Sequence, residues 1–187
     1  MAVTDVQLQS GTKARLVFLQ RTSQGSTALN YLHSVKSKVV EVEGTYMEQS
    51  YHTSVLRFAS ELAGEVANLG PFDALLNPPT GRPDLVAPYS AAIRAKFTGV
   101  PDLSGIIRRD PGGSAGRAED YAQVRCALHI ADPVRDLTFV SRLLIIDDVY
   151  GRGFTASAIH ELLVSAGWIC GGLVIACPLV ADGFPGH

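Results

Sequence analysis

RLLIIDDV, residues 142–149, is a continuous apolar run closed by two acids, Asp147 and Asp148. A run without polar alternation suits a strand covered on both faces. Directly after it, Tyr150-Gly151-Arg152-Gly153-Phe154-Thr155 reads as a glycine-bearing turn, and Ile159, Leu162, Leu163 and Ala166 then share one helical face up to Gly167. GLVIACPLV, residues 172–180, supplies the next buried strand. Strand, loop, helix, strand is a βαβ crossover, and it requires a parallel sheet covered by helices. The fold class is therefore α/β.

Working outward, residues 15–20 (RLVFLQ) read as a short buried strand and 38–43 (KVVEVE) as a half-exposed one, with 28–35 ambiguous between them. Val55, Ala59, Leu62, Val66 and Leu69 recur at helical spacing, which predicts a helix over 54–69 stopped by Gly70-Pro71. FDALL, residues 72–76, follows as a strand leading into Asn77-Pro78-Pro79-Thr80-Gly81-Arg82-Pro83. Residues 84–97 predict a second helix with Pro88 in its first turn, and 103–108 a further strand. RDPGGSAGR, residues 109–117, is too small and glycine-rich to pack a core and predicts a mobile loop, after which 121–130 reads as a returning strand.

The 187 residues fit one domain, and a 47% hydrophobic content is enough to fill its core. With 16 basic against 18 acidic residues and no long run of either sign, no electrostatic footprint for nucleic acid or a membrane surface is present. Cys126, Cys170 and Cys177 form no C-x-x-C pair, which argues against a disulfide framework and a structural zinc site. The opening MAVTDVQLQSGTKAR has no apolar signal region, and no stretch approaches the roughly 18 apolar residues of a membrane span. The expectation is a soluble protein of the reducing cytoplasm. His52, His129 and His160 share no metal spacing and read as solvated, while Trp168 and the cysteines read as core.

Ligands of an open parallel sheet sit at the carboxyl ends of its strands. Asp147, Asp148 and the 151–155 loop fall at that edge. The first amides of the following helix lack intrahelical partners and lie at its positive end, so the loop suits a phosphate. Gly151 and Gly153 would let the backbone approach, with Arg152 and Thr155 adding donors. Adjacent carboxylates accept from vicinal hydroxyls or hold a hydrated Mg²⁺. The combination is shaped for a sugar phosphate. A P-loop hydrolase would need a Gly-Lys pair, which the chain lacks. A two-component receiver carries such acids on its first strand and needs more than the about 40 residues that follow Asp148. A dinucleotide fold would want a third glycine after Gly151-Arg152-Gly153.

Leu143-Leu144-Ile145-Ile146-Asp147-Asp148-Val149-Tyr150-Gly151-Arg152-Gly153-Phe154-Thr155 resembles the 13-residue PRPP-binding signature of type I phosphoribosyltransferases. It has that family's four apolar residues, two acids, short loop and Gly-x-Thr end. Gly151 and Arg152 stand where members usually carry small hydroxyl residues. More weakly, the 76–82 loop is similar to the family's pyrophosphate loop and 108–121 to its flap. The Asp-Asp-Val-Tyr start and the proline-bearing loop before a helix are most similar to the ComF-like branch, whose N-terminal cysteine zinc module is absent here. The resemblance implies a parallel-sheet, Rossmann-like core over residues 51–187 with a small N-terminal cap over 1–50.

It further implies PRPP and Mg²⁺ as ligands. The 5′-phosphate would rest on Gly151, Arg152, Gly153, Phe154 and Thr155, and Asp147 and Asp148 would bind the ribose hydroxyls directly or through the metal. Thr80, Gly81 and Arg82 would take the pyrophosphate, with Arg109, or else Arg108 or Arg117, closing over it as a catalytic arginine. The implied reaction is transfer of the 5-phosphoribosyl group to an unidentified base or other nucleophile, and homodimers are common in the family. The altered Gly151-Arg152 pair keeps open a sensor that binds PRPP or a nucleotide without turnover, and a competence-type accessory protein is a further alternative.

Overall fold

The computed structural model describes residues 2–21, 46–80, 83–111, 120–131 and 140–181. In chain order they form β1 (Ala2–Gln7), β2 (Lys13–Arg21), α1 (Tyr46–Ala67), β3 (Ala74–Leu76), α2 (Pro83–Lys96), β4 (Ile107–Arg109), α3 (Tyr121–Cys126), β5 (Leu128–Ile130), β6 (Val140–Ile146), β7 (Val149–Tyr150), α4 (Phe154–Ser165) and β8 (Ile169–Val180). The main sheet runs β1-β2-β8-β6-β3, with β7 also beside β8. All its pairings are parallel except that of β1 with β2. The described residues are thus a mixed α/β fold with a mostly parallel sheet, as the 142–180 crossover demands.

Period-two alternation along the central strands divides the core into two layers. On one face Leu16 and Phe18 of β2, Leu143 and Ile145 of β6, and Leu173 and Ile175 of β8 pack with Ile159 and Leu163 of α4. On the other, Val17, Leu144, Ile146, Val174 and Ala176 pack with Leu62 and Val66 of α1 and Ile93 of α2. Leu144, Ile145 and Ile146 are completely buried, which is why the 142–149 run has no polar alternation. Each such side chain contributes about 1.5–3 kcal/mol by leaving water. No helix among the described residues is long and apolar enough to cross a membrane.

The N-terminal segment departs from expectation. Where a cap over 1–50 was expected, β2 lies inside the main sheet, parallel to β8 from Ala14↔Leu173 to Arg21↔Val180, and β1 pairs along its outer edge. Its residues feed both core layers, so 2–21 is part of the central fold. The strand expected at 38–43, the ambiguous 28–35 and most of the expected mobile loop lie outside the described residues.

Other elements shift by identifiable causes. α1 begins at Tyr46 rather than near 54 and ends ahead of Gly70-Pro71. α2 opens on Pro83, a position whose N–H has no intrahelical use, and this leaves Pro88 in the helix interior instead of the first turn. Of the expected 103–108 strand only the last two residues are extended, in β4 (Ile107–Arg109), which pairs antiparallel with β5 in a separate two-stranded sheet. Residues 121–130 are not one strand: Asp120 accepts from the Gln123 N–H at 2.9 Å, capping α3, and only Leu128–Ile130 is extended.

Candidate functional site

β6 ends at Ile146, paired with Ala176, and β7 resumes beside β8 in the same register at Val149↔Leu179. Asp147 and Asp148 occupy the interruption. Asp147 keeps one rung, its N–H donating to the Ala176 carbonyl at 3.0 Å. Its carboxylate Oδ1 accepts from the Asp148 N–H at 2.9 Å, which turns it back over the chain. Both acids are half-buried at the carboxyl edge of the sheet.

Gly151-Arg152-Gly153 then leads into α4. Gly153 adopts the left-handed conformation, φ 68° and ψ 8°, and its carbonyl accepts the first helical bond from the Ser157 N–H at 2.9 Å. A Cβ on Gly153 would lie 2.5 Å from the Tyr150 hydroxyl oxygen and 3.1 Å from its Cζ, so both conformation and space require glycine there. Gly151 has open space around it and no such requirement. The first-turn amides of α4 have no intrahelical acceptor and mark the positive end of a 12-residue helix. Arg152 is exposed, its guanidinium 4.5 Å over the Phe154 ring, and Phe154 meets the Tyr121 ring at 5.8 Å. Thr155 is partly buried in the first turn.

Two basic and acidic groups of the expected site come together. Arg109, at the end of β4, is half-buried; burial lowers its pKa and the Asp147 carboxylate opposes that shift, so each lies in the other's field. Arg108 is exposed, and Arg117 lies outside the described residues. Beneath the acids, Cys177 of β8 is completely buried, and burial together with Asp147 and Asp148 pushes its thiol pKa up. Burial, aided by Cys177, pushes Tyr150 up to about 12.

At the end of β3 the expected pyrophosphate loop begins with Asn77, whose role the motif reading passed over. Its side-chain Nδ2 donates to the Ile146 carbonyl at 3.1 Å, one residue from Asp147. The loop starting at residue 77 and the acidic pair are therefore neighbours. Thr80 is partly buried, while Gly81 and Arg82 lie outside the described residues. Behind Asn77 stand Ser90, Arg94, Asp102 and Ser104, joined by hydrogen bonds. Burial alone would raise the Asp102 pKa, but the Ser104 hydroxyl and N–H and the Arg94 guanidinium hold it below its ordinary value. No spacing rule could have found this cluster, because its members come from three separate segments.

A cavity of about 290 Å³ lies beside the loop on the α4 face, lined in part by Thr4, Gln7, Arg21, Tyr150, Arg152 and Phe154. The acidic pair is not in its wall. Among the described residues no three His, Cys, Asp or Glu side chains converge into a metal cage. Two adjacent carboxylates nevertheless fit Mg²⁺, which keeps several waters and takes its other ligands from substrate phosphates.

Two side chains differ from expectation. His160 is buried, 6% exposed, and burial lowers its pKa against a partial pull upward from Glu161. Cys126 is exposed on α3 rather than in the core. His129 is exposed as expected, with Nδ1 3.3 Å from the Asp110 carboxylate. The side chain of His52 lies outside the described residues.

The chain matches no protein-family model and no curated protein.

Proposed function

We propose that the chain is a phosphoribosyltransferase of the type I fold, binding PRPP with Mg²⁺ and transferring its 5-phosphoribosyl group to a nucleophile. One observation carries the reading: two acids at an interrupted strand end, followed at short range by a left-handed glycine that opens a helix, with a half-buried arginine in the field of the first acid. Amides that donate to phosphate, beside carboxylates that accept from a diol and a cation, are the set a phosphorylated ribose calls for.

In this reading the α4 amides and Thr155 hold the 5′-phosphate. Asp147 and Asp148 orient the ribose by its 2′- and 3′-hydroxyls and hold the Mg²⁺, which supplies charge neutralisation for the diphosphate when bound. The bond from C1 to the pyrophosphate oxygen breaks with its electron pair leaving on pyrophosphate, a bond from C1 to the nucleophile forms, and the nucleophile loses its proton. Positive charge develops on the ring along that path. Asp147 and Asp148 stabilise it, while Arg109 and the loop that begins at Asn77 stabilise the departing diphosphate. The acceptor is a nucleobase-like molecule.

Radiolabelled PRPP incubated with Mg²⁺ and a panel of bases tests the reading. Expected is Mg²⁺-dependent pyrophosphate release that Asp147→Asn reduces at least about a hundredfold, the scale of a lost electrostatic contact in a transition state. Binding without turnover on any base would favour a PRPP sensor, a reading supported by Arg152 lying on Phe154 where the family resemblance expects hydroxyl donors. A chain whose melting temperature responds to neither PRPP nor a nucleoside monophosphate is not a phosphoribosyl-binding protein.

A further inference from the structure

We propose that Asn77 is a positioning residue that sets the gap between the 77–80 loop and the acidic pair, and so governs the hold on the diphosphate end of the ligand. The inference rests on the phosphoribosyl reading above. β3 pairs with β6 only as far as Leu76↔Ile145. The Asn77 N–H faces the 101–104 side, as the Leu75 N–H does, and donates to Ser104 Oγ at 2.8 Å. The next residue, Pro78, has no N–H to offer β6, and the Asn77 side chain supplies a bond there instead, with Nδ2 donating to the Ile146 carbonyl at 3.1 Å. β3 thus ends its main-chain pairing one residue short of the Asp147 level yet stays tied to the strand that carries it.

The orientation of the amide follows from its partners. Oδ1 accepts from Arg94 Nη2 at 2.6 Å and from Ser90 Oγ at 2.8 Å. Arginine only donates, so the oxygen must face it and the nitrogen must face the Ile146 carbonyl. Arg94 is itself fixed: Nη1 and Nη2 fork onto the two Asp102 oxygens at 2.7 and 3.0 Å, and Nε donates to Ser90 Oγ at 2.8 Å. Ser104 closes the ring through its hydroxyl, 2.6 Å from Asp102 Oδ1. A rigid chain of contacts therefore runs from α2 through Asn77 to the residue before Asp147.

Asn77→Asp keeps the acceptor bonds at Oδ1, from Arg94, Ser90 and Ser104, but turns a carboxylate oxygen onto the Ile146 carbonyl, replacing attraction by repulsion at that single contact. The test compares two probes on the full chain by calorimetry, PRPP with Mg²⁺ and ribose 5-phosphate. The second lacks the diphosphate and engages only the 151–155 loop and, through its ribose hydroxyls, the acidic pair. The expected result is PRPP binding weakened at least tenfold with ribose 5-phosphate affinity within twofold of wild type and an unchanged circular dichroism spectrum. Equal loss of both ligands marks a merely structural residue and overturns the proposal, as does no loss of either. Should Asn77→Asp not fold, Ser90→Ala decides by the same comparison, with a loss of about threefold confined to PRPP expected. A wild-type chain that binds neither probe removes the phosphoribosyl reading, and the positioning role with it. Wild-type binding with no selective effect removes the positioning role alone.

Discussion

Gly153 meets two constraints at once, a left-handed backbone and a tyrosine hydroxyl 2.5 Å from where a Cβ would stand. Gly153→Ala is expected to cost about 1–3 kcal/mol, the range for a non-glycine residue forced into that conformation. Part of the cost is steric and belongs to Tyr150. In a Tyr150→Phe background the nearest atom becomes Cζ at 3.1 Å, so the alanine should cost at least about 0.5 kcal/mol less there. Urea denaturation of the two single variants and the double variant checks both numbers, and additivity would place the whole effect in the backbone. His160 gives a pH signature. Its burial lowers its pKa below the ordinary 6.5, so the unfolded chain takes up the proton first as pH falls through that value. Stability is therefore lost on acidification below about pH 6.5, until the folded-state value is passed. His160→Gln should shrink the fall in melting temperature between pH 7.5 and 5, and an unaltered profile would show that histidine burial does not set it.

Elements were legible where one local signal dominated. β6, the loop behind it and α4 could be read because a strand buried on both faces, a left-handed glycine and an apolar helical stripe each leave their own pattern. α3 was not legible. Tyr121, Val124 and Ile130 suit a strand, and the hydrogen bond from the Gln123 N–H to the Asp120 carboxylate outweighs that preference over 121–126. Asp120→Ala should then cost about 0.5–2 kcal/mol and raise amide exchange across 121–126 relative to the rest of the chain. Exchange that stays unchanged there would mean that packing of Val124 in the core, not the cap, holds the helix. The candidate site divides in the same way. Asp147, Asp148 and Gly153 stood out as a contiguous motif, whereas Asn77, Arg94 and Asp102 meet only because the chain after α2 returns beside β3, with Leu75 bridged to Asp102.

At the scale of the whole molecule the decisive contact is also the least visible in sequence. β2 pairs with β8 across most of the chain's length, from Ala14↔Leu173 to Arg21↔Val180, and no local pattern announces a partner so distant. RLVFLQ could be read as a strand, but not as one inside the main sheet. The pairing has an energetic consequence that a detachable cap would not have. Leu16 and Phe18 fill one core layer, Val17 and Leu19 the other, and all four are buried. At about 1.5–3 kcal/mol for each, their removal costs about 6–12 kcal/mol, comparable to the whole stability of a typical domain. It would also leave β8, with Val174, Ala176 and Leu179, as a bare apolar edge. The truncated chain 51–187 should accordingly show no cooperative thermal transition, bind hydrophobic dyes and aggregate, although it retains every residue of the acidic-pair motif. A truncated chain that melts cooperatively within about 10 °C of the full protein would return residues 2–21 to the status of a cap, because a loss of only about 2.5–5 kcal/mol corresponds to such a shift in a chain of this size.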